Sequence, residues 1–146
     1  MAHYSIPIVL VGKDEWGVRH LPGDLMPDYK VIHFIRRSAV STEIPQILRG
    51  EVLSGQKQGG RPDPPRAILF SSDFGEEDIT SLRELAAGIE GARRIPWVYI
   101  DPNPAQETAG LPGHSLVMAE RFKKRLDELK AKRLLNWDGD NGVYTA

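Results

Sequence analysis

Hydrophobic positions along this chain fall into four short continuous runs separated by stretches of helical spacing. Ile6 to Val11, Val31 to Ile35, Ala67 to Phe70 and Ile95 to Ile100 are apolar at nearly every position rather than at alternate ones. Such runs predict strands buried on both faces, the pattern of a parallel sheet with helices above and below. Pro7 falls at the start of the first, where a missing donor does least harm. Between the runs the spacing changes to three and four. Ile44, Ile47 and Leu48 predict a helix capped by Ser41 or Thr42, with Glu43 and Pro45 in its first turn and Gly50 near its end. Ile79, Leu82, Ala86 and Ile89 predict a helix from about Glu76 to Glu90, closed by Gly91 in the left-handed conformation. Met118, Phe122, Leu126 and Leu129 predict the inward face of a final helix from about Ser115 to Leu135.

The connections are less regular. Val18 to Leu21 has room for one or two helical turns before Pro22 and Gly23 interrupt them, and Pro27 closes the segment. Residues 54–65 are polar with clustered glycine and proline, which predicts a mobile surface loop rather than a domain boundary. Residues 136–146 read as a tail of turn composition, with Trp137 and Tyr144 available to dock on the body. Strands alternating with helices predict a single domain over 1–146: a right-handed three-layer α/β sandwich with a four-stranded parallel sheet. Rossmann-like and flavodoxin-like wirings both fit four such units, so the strand order stays open.

Composition narrows the classes. A chain of 146 residues, 40% apolar and 27% charged, has the makeup of an ordinary soluble globular domain. Its net charge of −1 offers no global field for nucleic acid or an anionic membrane. Cysteine is absent, which excludes disulfides, thiolate catalysis and thiolate metal sites together. The start, Met1 to Ser5, is too polar and short for a secretory signal, and no apolar run approaches ~18 residues. A cytoplasmic protein without nucleic-acid or membrane partners is therefore expected. The exposed edges of so small a sheet, with the aromatic tail, predict a homodimer.

Candidate chemistry gathers after the strands. The turn Gly12-Lys13-Asp14 to Gly17 follows strand 1, Arg36 and Arg37 follow strand 2, Ser71, Ser72 and Asp73 follow strand 3, and Asp101 follows strand 4. In a parallel sheet these positions share one edge, where ligands bind at a change of strand order. Gly12 and Gly17 occupy the outer positions of a G-x-G-x-x-G fingerprint, with Asp14 in the place of its middle glycine. With Arg36 and Arg37, where a 2′-phosphate partner would stand, residues 6–38 resemble the start of NmrA-type or extended dehydrogenase-like Rossmann proteins. That resemblance implies an NADP site on Gly12, Gly17, Arg36 and Arg37; the strand-end positions themselves add Lys13 in the floor and Ser71 and Ser72 in the far wall as ligand-binding candidates. No Tyr-x-x-x-Lys pair accompanies it. The alternative is a plain glycine turn in a βαβ unit.

Asp14, Asp73 and Asp101 form a second candidate, a carboxylate cluster able to hold Mg²⁺ for phosphoryl transfer or hydrolysis. Lys13-Asp14-Glu15 with Arg19 resembles the first acidic turn of a response-regulator receiver domain, although Asp101-Pro102 stands where that pattern has Lys-Pro. Acids at strand ends also simply cap the helices that follow. His3, His20, His33 and His114 lack metal-ligand spacing, and His33 reads as a hydrogen-bonded core histidine. His114 with Ser71 or Ser72 suggests a hydrolase pair, without a G-x-S-x-G elbow. Asp138 to Gly142 echoes a calcium loop but reads as a turn. The last helix's outer face (Lys123, Lys124, Arg125, Lys130, Lys132, Arg133), interleaved with Glu120, Asp127 and Glu128, reads as a solvated surface.

Tyr29 to Ile35, Glu43-Ile-Pro45, Leu48 to Glu51, Ile95-Pro-Trp97 with Asp101-Pro102, and Asp140 to Tyr144 together are similar to short α/β proteins of filamentous fungi. The resemblance spans most of the chain, implies a small stand-alone α/β domain, and brings no activity with it. The residues thus lead to a binding module for a small anionic or nucleotide-like ligand. A Mg²⁺-dependent enzyme and a non-catalytic homo-oligomeric adaptor are the alternatives.

Overall fold

A computed structural model of the chain describes residues 6–13, 21–26, 28–49, 65–71, 74–90, 95–100, 114–135 and 142–146. Five strands form one sheet: β1 (Ile6–Gly12), β2 (Tyr29–Arg36), β3 (Ile68–Phe70), β4 (Trp97–Tyr99) and β5 (Val143–Thr145). Every neighbouring pair is parallel, and the order across the sheet is β2-β1-β3-β4-β5. Among the described residues the helices are α1 (Leu21–Leu25), α2 (Val40–Leu48), α3 (Glu76–Ala87) and α4 (His114–Ala131), with a 3₁₀ turn at Arg37–Ala39. All seven residues of β1 are buried, as a central strand covered on both faces requires.

The sheet divides two apolar clusters. On one face Ile8, Leu10, Leu69 and Val98 meet Leu21 and Leu25 of α1 and Met118, Phe122, Leu126 and Leu129 of α4. On the other, Val9, Val11, Ile68, Phe70 and Trp97 meet Ile44, Ile47 and Leu48 of α2 and Ile79 and Leu82 of α3. This is the expected three-layer α/β arrangement, with one strand more than the four predicted. The extra strand lies in the expected tail. Tyr144 docks on the α1–α4 side, and Trp97 N–H to Gly142 O (2.9 Å) and Ala146 N–H to Tyr99 O (2.8 Å) zip β5 onto β4.

Several element ends differ from their sequence expectations. Among the described residues the first helix covers Leu21–Leu25 and runs through Pro22 and Gly23 instead of stopping before them, while Val18 to His20 lie outside the described residues. The first N–H groups of a helix have no internal partner, so proline at its second position sacrifices no bond. Neither Ser41 nor Thr42 caps α2. The 3₁₀ turn feeds directly into it, Val40 N–H bonding to Arg37 O, and no side chain caps Ala39. The third helix ends at Ala87 with Gly88 at its C-cap, at φ −88° rather than left-handed, while Gly91 lies outside the described residues. So do Gly50, 54–64 of the expected loop, and 136–141 of the tail.

One irregularity redirects β2. Ile8 pairs with Val31 but Val9 pairs with His33, leaving Ile32 as an extra residue. A bulge of this kind puts two successive residues on one side. Tyr29 and Val31 thus join the α1–α4 cluster, Ile32 and Ile35 the α2–α3 cluster, and Phe34 returns to the α1–α4 side. His33 faces α2, where its Nε2 meets Glu43 Oε1 at 2.7 Å, the hydrogen-bonded histidine that the sequence predicts.

α4 holds both edges of the sheet. Arg125 Nε donates to Thr145 O at 2.9 Å and Arg121 donates to Ala146 O, fixing β5. At the opposite edge the Tyr29 hydroxyl donates to Asp127 Oδ1 at 2.6 Å, and Lys123 lies 3.5 Å from Asp28. The outer face of this helix is therefore not wholly solvated: Lys124, Lys130, Lys132 and Arg133 are exposed, whereas Lys123 and Arg125 are half-buried and engaged. Burial of Tyr29, its bond to Asp127 and the charges of Asp127 and Asp28 hold the phenol well above its ordinary range.

The crossovers do not share one hand. β1 to β2 steps outward across α1, and β2 to β3 and β3 to β4 step back the other way across the opposite face, which preserves the hand. β4 to β5 continues in that second direction, yet α4 lies on the α1 face. The last crossover therefore has the hand opposite to the other three.

Candidate functional site

The strand order reverses between β1 and β3, and their carboxyl ends lie side by side. Ser71 N–H donates to Val11 O at 2.9 Å, and on the other side Gly12 is in register with Arg36. Arg36, Gly12 and Ser71 thus form a row along one edge of the sheet. Gly12 sits where space is tight: a Cβ there would come within 3.3 Å of both the Phe34 ring and Ser71 Oγ. Its missing side chain lets these two close over the end of β1. Ser71 is 1% exposed and is the buried polar residue among those described. Its carbonyl accepts Phe74 N–H at 3.1 Å, turning the chain toward α3.

α4 runs antiparallel to the strands. Arg121 reaches the carboxyl end of β5 and Asp127 the amino end of β2, so the helix N-terminus at His114 belongs to the same edge as Gly12 and Ser71. An eighteen-residue helix aimed this way favours negative charge near that edge.

The two arginines after β2 divide their roles. Arg36 is exposed and has no ionic partner among the described residues. Arg37 is carried by the 3₁₀ turn to the start of α3, where Nη2 lies 3.1 Å from Asp78 Oδ1 and the guanidinium covers the Phe74 ring at 5.0 Å. The other carboxylate oxygen of Asp78 accepts Gly75 N–H at 3.0 Å, closing the N-terminus of α3. The same carboxylate therefore caps a helix and anchors Arg37.

Of the residues expected at the site, the structure brings together Gly12, Lys13, Arg36 and Ser71 and places Arg37 against α3. Asp14, Gly17, Ser72, Asp73 and Asp101, with the His114 side chain, lie outside the described residues. Among the described residues no three histidine, aspartate or glutamate side chains gather as a metal site. Phe34, Phe74 and Asp78 were not legible as part of this edge. Phe34 reaches Gly12 only because of the bulge, since plain alternation from Tyr29 puts His33 on that face. Phe74 and Asp78 enter through the 3₁₀ turn, which positions Arg37 and leaves no pattern in the sequence. No helix among the described residues is long and apolar enough to cross a membrane. No protein-family model, curated protein or solved structure matches the chain.

Proposed function

We propose that the chain is a flavodoxin-like doubly wound domain that binds a small anionic, nucleotide-like ligand at the carboxyl ends of β1 and β3. The observation that carries this reading is the order β2-β1-β3-β4-β5, which reverses beside Gly12 and Ser71. Ligands of open α/β sheets sit at such a reversal, outside the carboxyl ends of the strands. The Gly12–Lys13 turn, the N-terminus of α4 and Arg36 all supply positive potential to that edge. Arg36 is the arginine free to meet an anion, because recruiting Arg37 breaks its contact with Asp78. The domain binds without chemistry of its own, and NADP(H) and FMN are the first ligands to try.

Thermal unfolding against NADPH, NADP⁺, ATP, FMN and Mg²⁺, singly and combined, tests the reading. Ligand at about 100 times its dissociation constant adds about 2.7 kcal/mol, a rise of several degrees in Tm. Arg36→Ala should weaken the responding nucleotide about tenfold while leaving the Tm of the free protein within a degree or so, as an exposed unpaired side chain implies. Arg37→Ala should lower that Tm and leave the affinity unchanged. A shift that requires Mg²⁺ would favour the carboxylate cluster, and no shift with any of these would overturn a nucleotide site.

A further inference from the structure

We infer that the ligand of the β1–β3 edge is a phosphorylated aromatic heterocycle, a mononucleotide rather than a bare anion. Its ring stacks on Phe34 and its phosphate meets Arg36, both on the α1–α4 face. The inference rests on the anion site proposed above and names the part of the ligand that the anion contacts alone do not specify.

Alternation fixes the face. Leu10 and Leu69 lie in the α1–α4 cluster, whereas Val11, Phe70 and Ile35 lie in the α2–α3 cluster. The next residues along, Gly12, Ser71 and Arg36, therefore return to the α1–α4 side. Arg36 keeps this alternation because its backbone is still extended (φ −74°, ψ 149°) before the 3₁₀ turn begins. The surroundings of Gly12 agree: a Cβ on it would meet Phe34 Cε2 at 3.3 Å, Phe34 Cζ at 3.5 Å and Ser71 Oγ at 3.3 Å. Gly12, Phe34, Arg36 and Ser71 thus converge on one side of the carboxyl edge, while Arg37 is held on the other by Asp78 of α3.

The two side chains of β2 divide the ligand between them. Leu10, Leu69 and Tyr29 on this face are fully buried, but Phe34 is half-buried and packs at the border of their cluster. The ring atoms nearest Gly12 are Cε2 and Cζ, so the ring is seated by its outer edge and offers a face to a flat partner. The bulge at Ile32 is what brings Phe34, rather than His33, to this place. Arg36, exposed, follows two residues later on the same face, about 6.6 Å along the strand. That is the scale of one nucleoside between its base and its phosphate. Stacking on an aromatic side chain accepts any flat heterocycle, so adenine and isoalloxazine share the chemistry.

Isothermal titration of the full chain with AMP, FMN, ribose 5-phosphate, adenosine and riboflavin tests this. AMP or FMN should bind about tenfold tighter than ribose 5-phosphate and about tenfold tighter than its own phosphate-free counterpart. Phe34→Leu should weaken the responding nucleotide about tenfold and leave ribose 5-phosphate unchanged, whereas Arg36→Ala should weaken both. The ratio of the two affinities is read in each variant, because partial unfolding lowers both alike. The wild type supplies a second measurement that needs no variant: NOEs between the ring protons of the bound nucleotide and those of Phe34. A response to AMP alone identifies an adenine nucleotide and one to FMN alone a flavin, each in keeping with stacking. Equal binding of nucleotide and ribose 5-phosphate, indifference to Phe34→Leu, or absence of those NOEs would overturn the stacking while the anion site stands. No heat from any of the five would overturn the anion site and the stacking with it.

Discussion

Tyr29 and Gly12 carry the sharpest residue-scale consequences. The Tyr29 hydroxyl is buried and bonded to Asp127, whereas Asp127 is itself exposed, so water can replace the donor that Tyr29→Phe removes. The loss at neutral pH should be about 1 kcal/mol. The alkaline behaviour is more specific. A phenol held above its ordinary range keeps its proton in the native state at pH values where the unfolded chain loses it, above about pH 10. The unfolded state then binds fewer protons, so the contribution of Tyr29 to stability is constant below about pH 9 and falls by about 1.4 kcal/mol per pH unit above pH 10. Urea melts at about pH 8, 10 and 11 should show this slope in the wild type and a shallower one in Tyr29→Phe. Parallel curves would remove Tyr29 from the account. Gly12 is constrained by neighbours rather than by backbone conformation. Gly12→Ala should cost about 1–3 kcal/mol, since the Phe34 ring and Ser71 hydroxyl must both give way. Ser71→Gly in the same chain should return part of that loss, a coupling that a double-mutant cycle by urea denaturation measures.

At the scale of elements, the ties of α4 to β5 are the ones that substitution separates most cleanly. Arg125→Ala leaves Thr145 O without its donor, at the end of a three-residue strand on the sheet edge. The expected result is local: faster amide exchange at Ala146, whose N–H bonds Tyr99 O, with little change in β1. Uniformly faster exchange would mean that β5 belongs to the global unfolding unit. This strand also shows why the sequence revealed some elements and not others. α3 and α4 were legible because Ile79, Leu82, Phe122 and Leu126 repeat at helical spacing and all go inward. Val143-Tyr144-Thr145 is too short to show a period, and Val143 remains exposed. The bulge in β2 was hidden for a different reason. A run apolar at Val31, Ile32, Phe34 and Ile35 gives no alternation from which to read its register. Gly12 and Ser71 could be nominated because strand ends follow from the apolar runs. The commitment of Arg37 to Asp78 depends on a turn between two elements and has no local signal.

For the whole molecule, the opposite hand of the last crossover separates a body from its closing strand. β1, β2 and β3 are joined by connections of one hand, and β1 pairs with both β2 and β3. β5 follows β4 only after residues 100–142, a long loop to close, and reaches its place across the α1 face. Contacts that must await the ordering of a long intervening segment form late in folding. The tie from α4 to the carbonyls of β5 also requires α4 to be seated first on Leu10, Leu69 and Val98. Leu10→Ala, at the centre of the body, should therefore cost about 2–5 kcal/mol and act largely on the folding limb of a urea chevron. Tyr144→Ala should leave the folding rate nearly unchanged and raise the unfolding rate, because its contacts are absent from the transition state. If Tyr144→Ala slows folding by as large a fraction of its stability loss as Leu10→Ala does, β5 pairs early. The connection of opposite hand would then be part of the folding nucleus rather than its last addition.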